Sequence, residues 1–438
     1  MNYSDRCLGR LAASLALITG LIGWVPDAHA SKSGTRRDSA PSGPAYGQRS
    51  DVRELADHLA TQHSLPKAWV RQQLAQAHYI QSIPRLVLPP APGQRKNWAA
   101  YRDRFIEPKR IEAGLAFWRE HRQALSRAEA QYGVPADIIV GIIGVETYYG
   151  RHLGNYRILD ALTTLSLDFP ADHPRASERR DFFRAELGHF LVQLKRYPKR
   201  TWRGSYAGAM GWPQFMPSSW ARFTVDFDGD GQIDLMNSPV DAIGSVANYF
   251  KAFGWKTGLP THHAIQLQVS EQDMDILLAP DILPSFSLET LQAKGVQLPE
   301  SAQQHPGPYA LVELQNGDAP NSYVAGTDNF YVVTRYNWSS YYAMAVIGLG
   351  QAVKCRVTWL PSPQTRRDLA LERINPAYPS AVSRFPLQCL SGSWDWVFSS
   401  CRQTDSPCNS RPLKSLAPTN RLVPLWAAWP APPHSHGQ

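Results

Sequence analysis

The segment IIVGIIGVET is almost wholly apolar, yet it delivers one carboxylate, Glu146. Apolar residues occupy nearly every face of this stretch, which predicts a buried helix. Gly133 ends the preceding helix, and Pro135 stands near the first turn, where proline is favoured. Since Glu146 closes a buried helix, burial should raise its pKa and keep it protonated, as a general acid requires. The alternative is a buried glutamate paired with Arg151 or Arg157.

A protonated carboxyl of this kind could cleave a glycosidic bond by protonating the leaving oxygen. Ordinary glycosidases need a second carboxylate as nucleophile or base. Asp160 and Asp168 are the next acids downstream, and the neighbourhood of neither is typical of a catalytic partner. This pattern favours a mechanism in which the substrate supplies its own nucleophile.

Composition bounds the remaining possibilities. The chain has 438 residues, enough for two or three packed units, and 43% hydrophobic residues allow a sizeable core. The formal net charge of +8 favours acidic partners, but no nucleic-acid motif is found. The 14 Trp and 18 Tyr include candidate platforms for sugar rings, although most are expected in the core.

The N-terminus is typical of a secretory signal peptide. Arg6 and Arg10 precede an apolar run too short to span a bilayer comfortably, and a small-x-small site ends at Ala30. We therefore expect residues 1–30 to be cleaved, with an uncleaved anchor as the alternative. Residues 31–50 are predicted to form a flexible linker.

The C-terminal region contains all four remaining cysteines, Cys355, Cys389, Cys401 and Cys408. After export they could form two disulfides, with three possible connectivities, and their spacing matches no zinc site. Residues 355–438 are rich in Pro and Ser and lack periodicity, so a poorly ordered tail is predicted.

Several long motifs resemble the lytic murein transglycosylase B family, glycoside hydrolase family 103. They are GVPADIIVGIIGVETYYGRHLGN, RILDALTTLSLDFP, GSYAGAMGWPQFMPSSW, DAIGSVANYFKAFGW and TRYNWSSYYAMAVIGLGQAV, in the family's order. The match spans residues 55–353. It implies a lysozyme-like core with flanking helical and small β-rich domains, so we expect an α+β fold that is mainly α.

The resemblance also divides the chain. We expect a lysozyme-like catalytic core over 131–260 and a small β-rich domain over 261–331. A helical domain would cover 51–130 and be completed by 332–354. Within the helical domain, the periodicity predicts one helix over Ile111–Tyr132.

In that family the glutamate of GVET is the sole acid/base, which corresponds to Glu146. The resemblance implies that it protonates the oxygen between N-acetylmuramic acid and N-acetylglucosamine. It would then take the proton of the muramic C6 hydroxyl, leaving a 1,6-anhydro end without water or a second carboxylate. The expected partner is therefore the glycan strand of peptidoglycan, with other cell-wall enzymes as further candidates.

The resemblance implies six more cleft residues, which would contact sugar and acetamido groups or stack on a ring: Tyr101, Ser205, Gln214, Tyr336, Asn337 and Tyr342. Pro213 departs from the family, which often has Gly there. Arg179 and Arg180 follow an insert and are left unassigned. The lipid-bearing cysteine of the family's type member is absent, which indicates a soluble periplasmic relative.

The segment VDFDGDGQIDLMNSPVD has the D-x-D-x-D-G spacing of an EF-hand. Gln232 would offer its backbone carbonyl at position seven, Asn237 replaces the usual glutamate, and the family's later aspartate corresponds to Asp241. The predicted ligands of a structural Ca²⁺ are Asp226, Asp228, Asp230, Gln232 and Asp241. The alternative is an empty acidic turn; neither a catalytic metal nor an organic cofactor is expected.

Two other functions remain open at this point. A hydrolytic muramidase would admit water and cut the same bond. A non-catalytic, Ca²⁺-stabilised peptidoglycan-binding protein would bind the cell wall without cutting it. The intact motifs around Glu146, Gln214 and Tyr336 argue against the second.

Overall fold

The computed structural model describes residues 43–89, 95–305 and 307–359. The predicted signal peptide, most of the predicted linker and nearly all of the predicted tail lie outside these residues. The described helices are α1 (Ser50–Gln62), α2 (Lys67–Ala75), α3 (Ile83–Leu86), α4 (Trp98–Phe105), α5 (Pro108–Glu120), α6 (Arg122–Tyr132), α7 (Ala136–Thr147), α8 (Ile158–Leu167), α9 (Ala176–Arg196), α10 (Pro217–Phe223), α11 (Pro239–Ala252), α12 (Glu271–Leu278), α13 (Leu288–Ala293), α14 (Asp328–Thr334) and α15 (Ser340–Trp359).

The described strands form three small antiparallel sheets. Their bounds are β1 (Tyr156–Arg157), β2 (Arg203–Gly204), β3 (His262–Ala264), β4 (Gln266–Leu267), β5 (Val296–Gln297), β6 (Ala310–Asn316) and β7 (Ala319–Gly326). The predicted class, α+β and mainly α, is confirmed. Across the described ranges, no helix combines the length and apolar character needed to cross a membrane.

Helix α7 is the buried helix that the sequence predicts. Pro135 is its N-cap residue, and every residue from Ala136 to Thr147 is buried except Glu146. Helix α15 packs along α7, and a Cβ added at Gly141 would lie 2.2 Å from the Val346 carbonyl oxygen. Glycine at that position therefore lets the two helix backbones approach closely.

The helix predicted over Ile111–Tyr132 is in fact two helices, α5 and α6. They separate at His121, whose φ of −105° and ψ of 23° leave the helical region. Helix α5 packs against α15, whereas α6 packs against α11. A straight helix could not bring one apolar face against both partners, so packing overrides the continuous periodicity. Gly133, with φ of 71°, ends α6 as predicted.

The small β-rich unit has a hydrophobic cluster of its own. Strand β7 lies between β3 and β6, while β4 pairs with β5. The buried members of the cluster are Leu277, Leu288, Leu291, Val296, Ala302, Tyr309, Leu311 and Ala325. The predicted boundary at 331 falls inside α14, whose Phe330 and Val333 pack in the main core instead. One face of β6 packs in the main core as well, through Ala310, Val312 and Leu314, so the chain joins that core before the predicted boundary.

Two other boundaries differ from those expected. Residues 43–49, placed in the linker, are attached to the helical part of the chain through Tyr46. The Tyr46 amide donates to the Ala77 carbonyl oxygen at 2.9 Å, and its buried hydroxyl donates to Asp168. At the other end, α15 continues beyond residue 354 to Trp359. The remaining division into domains stays a prediction.

Candidate active site

Glu146 lies in the last turn of α7 and is the one partly exposed residue of that helix. The Tyr342 hydroxyl donates to Glu146 Oε1 at 2.5 Å. Burial raises the pKa of Glu146 to about 8, against a smaller lowering by the Tyr342 hydrogen bond. The carboxyl therefore holds its proton at neutral pH, which is the state a general acid needs.

The ion-pair alternative for Glu146 is wrong. Arg157 pairs with Asp160, with Nη1 and Oδ1 2.9 Å apart. The guanidinium of Arg151 lies over the ring of Tyr148, 4.8 Å from its centroid. Within the described residues no cation contributes to the pKa shift of Glu146, so nothing there forces the carboxyl to ionise.

The two downstream acids have structural partners. Asp160 accepts from the His78 amide at 3.1 Å in addition to its ion pair. Asp168 accepts from the Tyr46 hydroxyl at 2.5 Å and pairs with Arg49 at 2.7 Å. Each carboxylate therefore links neighbouring segments of the chain, which agrees with sequence neighbourhoods that are not typical of a catalytic partner.

A cleft opens beside Glu146, lined by Glu146, Gln214, Phe215, Met216, Ser219, Tyr249 and Tyr336. Glu146 is the one carboxylate in this lining, as far as the chain is described. The Tyr336 ring stacks on Tyr342, with centroids 6.4 Å apart and planes at 15°. Its hydroxyl donates to the Pro213 carbonyl oxygen at 2.5 Å. These contacts fix two tyrosines around the acid.

Gln214 is held in a strained conformation at the cleft wall. Its φ of 49° lies in the left-handed region, which costs a non-glycine residue about 1–2 kcal/mol. Its Nε2 donates to the carbonyl oxygens of Gly211, at 2.9 Å, and Leu153, at 3.3 Å. The amide is thereby anchored on the backbone, and its orientation does not depend on a ligand.

The Tyr101 hydroxyl is buried without a hydrogen-bond partner among the described residues. Burial raises the pKa of Tyr101, and the nearby charge of Glu146 raises it further. The ring packs against Trp98, Phe105 and Tyr341. A buried hydroxyl left unpaired is costly, so this group is suited to meet a ligand or a water beside the acid.

Four of the six predicted cleft residues are absent from this lining: Tyr101, Ser205, Asn337 and Tyr342. Of these, Tyr342 still contacts the acid directly through its hydroxyl. The Ser205 hydroxyl accepts from the backbone amides of Ala209, at 2.9 Å, and Ala207, at 3.4 Å, and so closes a turn. Asn337 is 3% exposed, and its backbone carbonyl oxygen accepts from the Ser339 backbone amide. The Ser205 hydroxyl is therefore occupied by backbone amides, and contact of Ser205 and Asn337 with sugar stays a prediction.

Four lining residues were missed from the sequence: Phe215, Met216, Ser219 and Tyr249. The first three follow Gln214 closely, so their position in the same motif was an available signal. Tyr249 lies on the buried face of α11 and looks like an ordinary core residue. Its hydroxyl donates to the Arg335 carbonyl oxygen at 2.6 Å, and its ring centroid lies 4.8 Å from that of Tyr336.

The acidic loop brings three of the predicted ligands together. The carboxylates of Asp226, Asp228 and Asp230 each offer an oxygen, and these oxygens lie within 4.8 Å of one another. The Gln232 amide donates to Asp230 Oδ1 at 2.7 Å, which turns the chain round the cluster. Gly231, with φ of 86°, permits this turn.

Asp241 does not join the three aspartates. Its Oδ1 accepts from the Phe227 amide at 2.8 Å, and its Oδ2 accepts from the Asp234 amide at 2.8 Å. Burial raises the pKa of Asp241, while these bonds oppose the rise. With 1% of its surface exposed, Asp241 braces the loop from the first turn of α11 and is not placed as a direct ligand.

A second cavity, of about 250 Å³, lies beside the β-rich unit. Its lining includes His263, Ser301, Gln304 and His305. None of its described lining residues is a carboxylate, and it shares no residue with the cleft at Glu146. The acid chemistry predicted from the sequence therefore belongs to the smaller cleft.

Comparisons with known proteins bear on this geometry. The family described as "Transglycosylase SLT domain" matches residues 47–351. A curated relative, membrane-bound lytic murein transglycosylase B of Escherichia coli (strain K12), is 39% identical over 323 residues. This match covers 71% of the present chain and 84% of the relative.

Solved structures agree with these matches. Escherichia coli lytic transglycosylase Slt35 in complex with calcium is 40% identical with a TM-score of 0.62, covering 72% of this chain and 96% of that one. SltB3 from Pseudomonas aeruginosa in complex with NAG-NAM-pentapeptide is 28% identical with a TM-score of 0.57, covering 69% and 78%. The resemblance drawn from the motifs is confirmed: this chain belongs to the transglycosylase SLT domain family of lytic murein transglycosylases.

Proposed function

We propose that Glu146 is the single acid/base of a lytic transglycosylase that cuts the β-1,4 bond between N-acetylmuramic acid and N-acetylglucosamine in peptidoglycan. The observation that carries the proposal is that Glu146 is the one carboxylate lining the described cleft, and burial raises its pKa to about 8. Family membership supports the substrate class, since the SltB3 relative was solved with a NAG-NAM-pentapeptide.

The reaction needs two proton transfers, and the Glu146 carboxyl takes part in both. Glu146 gives its proton to the glycosidic oxygen as the bond from that oxygen to muramic C1 breaks. The resulting carboxylate accepts the proton of the muramic C6 hydroxyl while O6 bonds to C1, which regenerates the acid. The Tyr342 hydroxyl donates to Oε1 and can stabilise the carboxylate between the two steps.

Hydrolysis of the same bond is the second candidate. A muramidase would need a base to activate water, and inverting glycosidases place a second carboxylate for that purpose. Apart from Glu146, the described cleft lining consists of uncharged residues, among them Gln214, Ser219 and Tyr336. This lining favours the intramolecular route, because no further base is required for it.

The deciding experiment is digestion of purified peptidoglycan sacculi followed by mass analysis of the soluble fragments. Muramic ends that are lighter by one water identify the anhydro product, and ends of full mass identify hydrolysis. Glu146→Gln should bind sacculi and release nothing, because an amide cannot transfer the proton. Release by that variant at the wild-type rate would refute the role of Glu146. Binding of sacculi without release by the wild type would favour a non-catalytic wall-binding protein.

We also propose that Asp226, Asp228 and Asp230 hold a structural Ca²⁺, with the Gln232 carbonyl completing the loop. Carboxylate and carbonyl oxygens are the donors that Ca²⁺ prefers, and three carboxylates at this spacing repel one another without a cation. The calcium complex of the Slt35 relative supports the choice of ion. The ion would fix the loop between the Gln214 segment and α11, and it would supply no chemistry to the cleft.

The site of action is proposed to be the periplasm, after cleavage behind Ala30. The support is the order of charged, apolar and small residues at the N-terminus. The curated Escherichia coli relative is named as membrane-bound, so the form of attachment can differ between the two. Sequencing the N-terminus of the exported protein tests this, with Ser31 expected as the first residue.

A further inference from the structure

Glu186, in the middle of α9, holds the beginning of α10 through one residue. The Ser218 amide donates to Glu186 Oε2 at 2.9 Å, and the Ser218 hydroxyl donates to Oε1 at 2.6 Å. The glutamate is 4% exposed. Both oxygens of a buried carboxylate thus accept hydrogen bonds from one residue of a neighbouring helix.

The local sequence of α10 explains why these hydrogen bonds from Ser218 to Glu186 are needed. The first amides of a helix have no partner within the helix and need an acceptor from elsewhere. The N-cap residue of α10 is Met216, which makes no side-chain cap hydrogen bond, and Pro217 has no amide hydrogen to satisfy. Glu186 therefore supplies from α9 the acceptor that the chain does not provide locally.

Retaining an acid here costs stability. Burial raises the pKa of Glu186 to about 7, against the lowering by the two bonds from Ser218. Removing a carboxyl from water is unfavourable unless its hydrogen bonds repay the loss. An apolar contact between α9 and α10 would hold the helices together without that cost, so the carboxyl is better explained by the geometry that it imposes.

The position it fixes adjoins the cleft. Met216 and Ser219, on either side of the gripped residue, both line the cleft with Glu146. We propose that Glu186 is a positioning residue, which acts through Ser218 to hold the Met216–Ser219 wall at the distance from Glu146 that turnover requires. The inference rests on the proposed function, because it concerns how the substrate is aligned with that acid.

The test compares Ser218→Ala with Ser218→Thr, using soluble glycan strands as substrate well below each melting temperature. Ser218→Ala deletes one of the two bonds and should lower kcat by about tenfold, the effect of losing one charged hydrogen bond. Ser218→Thr keeps the hydroxyl and should stay near wild type. Glu186→Gln should lower kcat at least as much, and combining it with Ser218→Ala should add little, since the two residues act as one unit.

Asp160→Asn is the matched control. Asp160 is also 4% exposed and accepts a backbone amide, but it does not line the cleft. It should lose melting temperature as the Glu186 variant does and keep the wild-type kcat. The inference is overturned if Ser218→Ala keeps the wild-type kcat, if Ser218→Thr falls equally, or if Asp160→Asn loses as much. If Glu186→Gln does not fold, the two Ser218 variants decide. Failure of the wild type to form anhydro ends would instead count against the proposed function.

Discussion

The burial of Glu146 should be measurable as a stability that changes with pH. Its pKa is raised by burial from 4.5 to about 8, so between these values the folded protein binds a proton that the unfolded chain has released. Stability contributed by this group is full below the unfolded pKa and is lost as pH rises through the folded one. Glu146→Gln removes the titration and should therefore become progressively more stable, relative to wild type, as pH rises.

The size of the effect follows from the two pKa values. Each pH unit within the window is worth about 1.4 kcal/mol. The gain is smaller near each pKa, where the group is only partly protonated. The difference in unfolding free energy between Glu146→Gln and wild type should therefore increase by about 3.5 kcal/mol from pH 5 to pH 8. Only the growth of this difference is diagnostic, because the amide also changes local hydrogen bonds by an amount independent of pH.

Urea unfolding of both proteins, followed by tryptophan fluorescence at each pH, measures this difference. Glu178→Gln is the control, because Arg175 lowers the pKa of Glu178 and leaves it ionised in both states over most of the range. Its difference from wild type should be nearly flat from pH 5 to pH 8. A flat curve for Glu146→Gln as well would show that the carboxyl ionises normally in the folded protein, and the general-acid argument would fail.

Three further results are expected. Turnover should fall as pH rises through about 8, because Glu146 then loses its proton. Tyr342→Phe should move this fall to higher pH, because the lost hydrogen bond favours the carboxylate. pH–rate profiles in which both proteins fall at the same pH would contradict this. EDTA should lower the melting temperature, because Ca²⁺ at a hundred times its Kd contributes about 2.7 kcal/mol to the free energy of unfolding. Asp228→Ala should abolish this response. Equal sensitivity of both proteins to EDTA would count against the site. Gly144→Ala should cost about 1–3 kcal/mol in urea unfolding, because its Cβ would lie 2.5 Å from the Tyr149 hydroxyl; an unchanged midpoint would mean that this contact can relax freely.

The sequence was sufficient wherever the chemistry is local. The apolar run predicts α7 and its burial, because a helix apolar on all faces has no stable position in water. The same run predicts the neutral state of Glu146 at its end. The D-x-D-x-D-G spacing likewise predicts the cluster of Asp226, Asp228 and Asp230, since a tight loop brings alternate side chains together.

Only the tertiary structure decided which distant groups meet. Tyr342 lies 196 positions from Glu146 and reaches it because α15 packs along α7; a family resemblance could suggest that contact, but periodicity could not. The sequence pattern could not show that the Asp241 oxygens accept from backbone amides. It also could not show that the Ser205 hydroxyl closes a turn. A pattern of residue types predicts which side chains are buried. The partner that each buried side chain contacts depends on how separate helices pack.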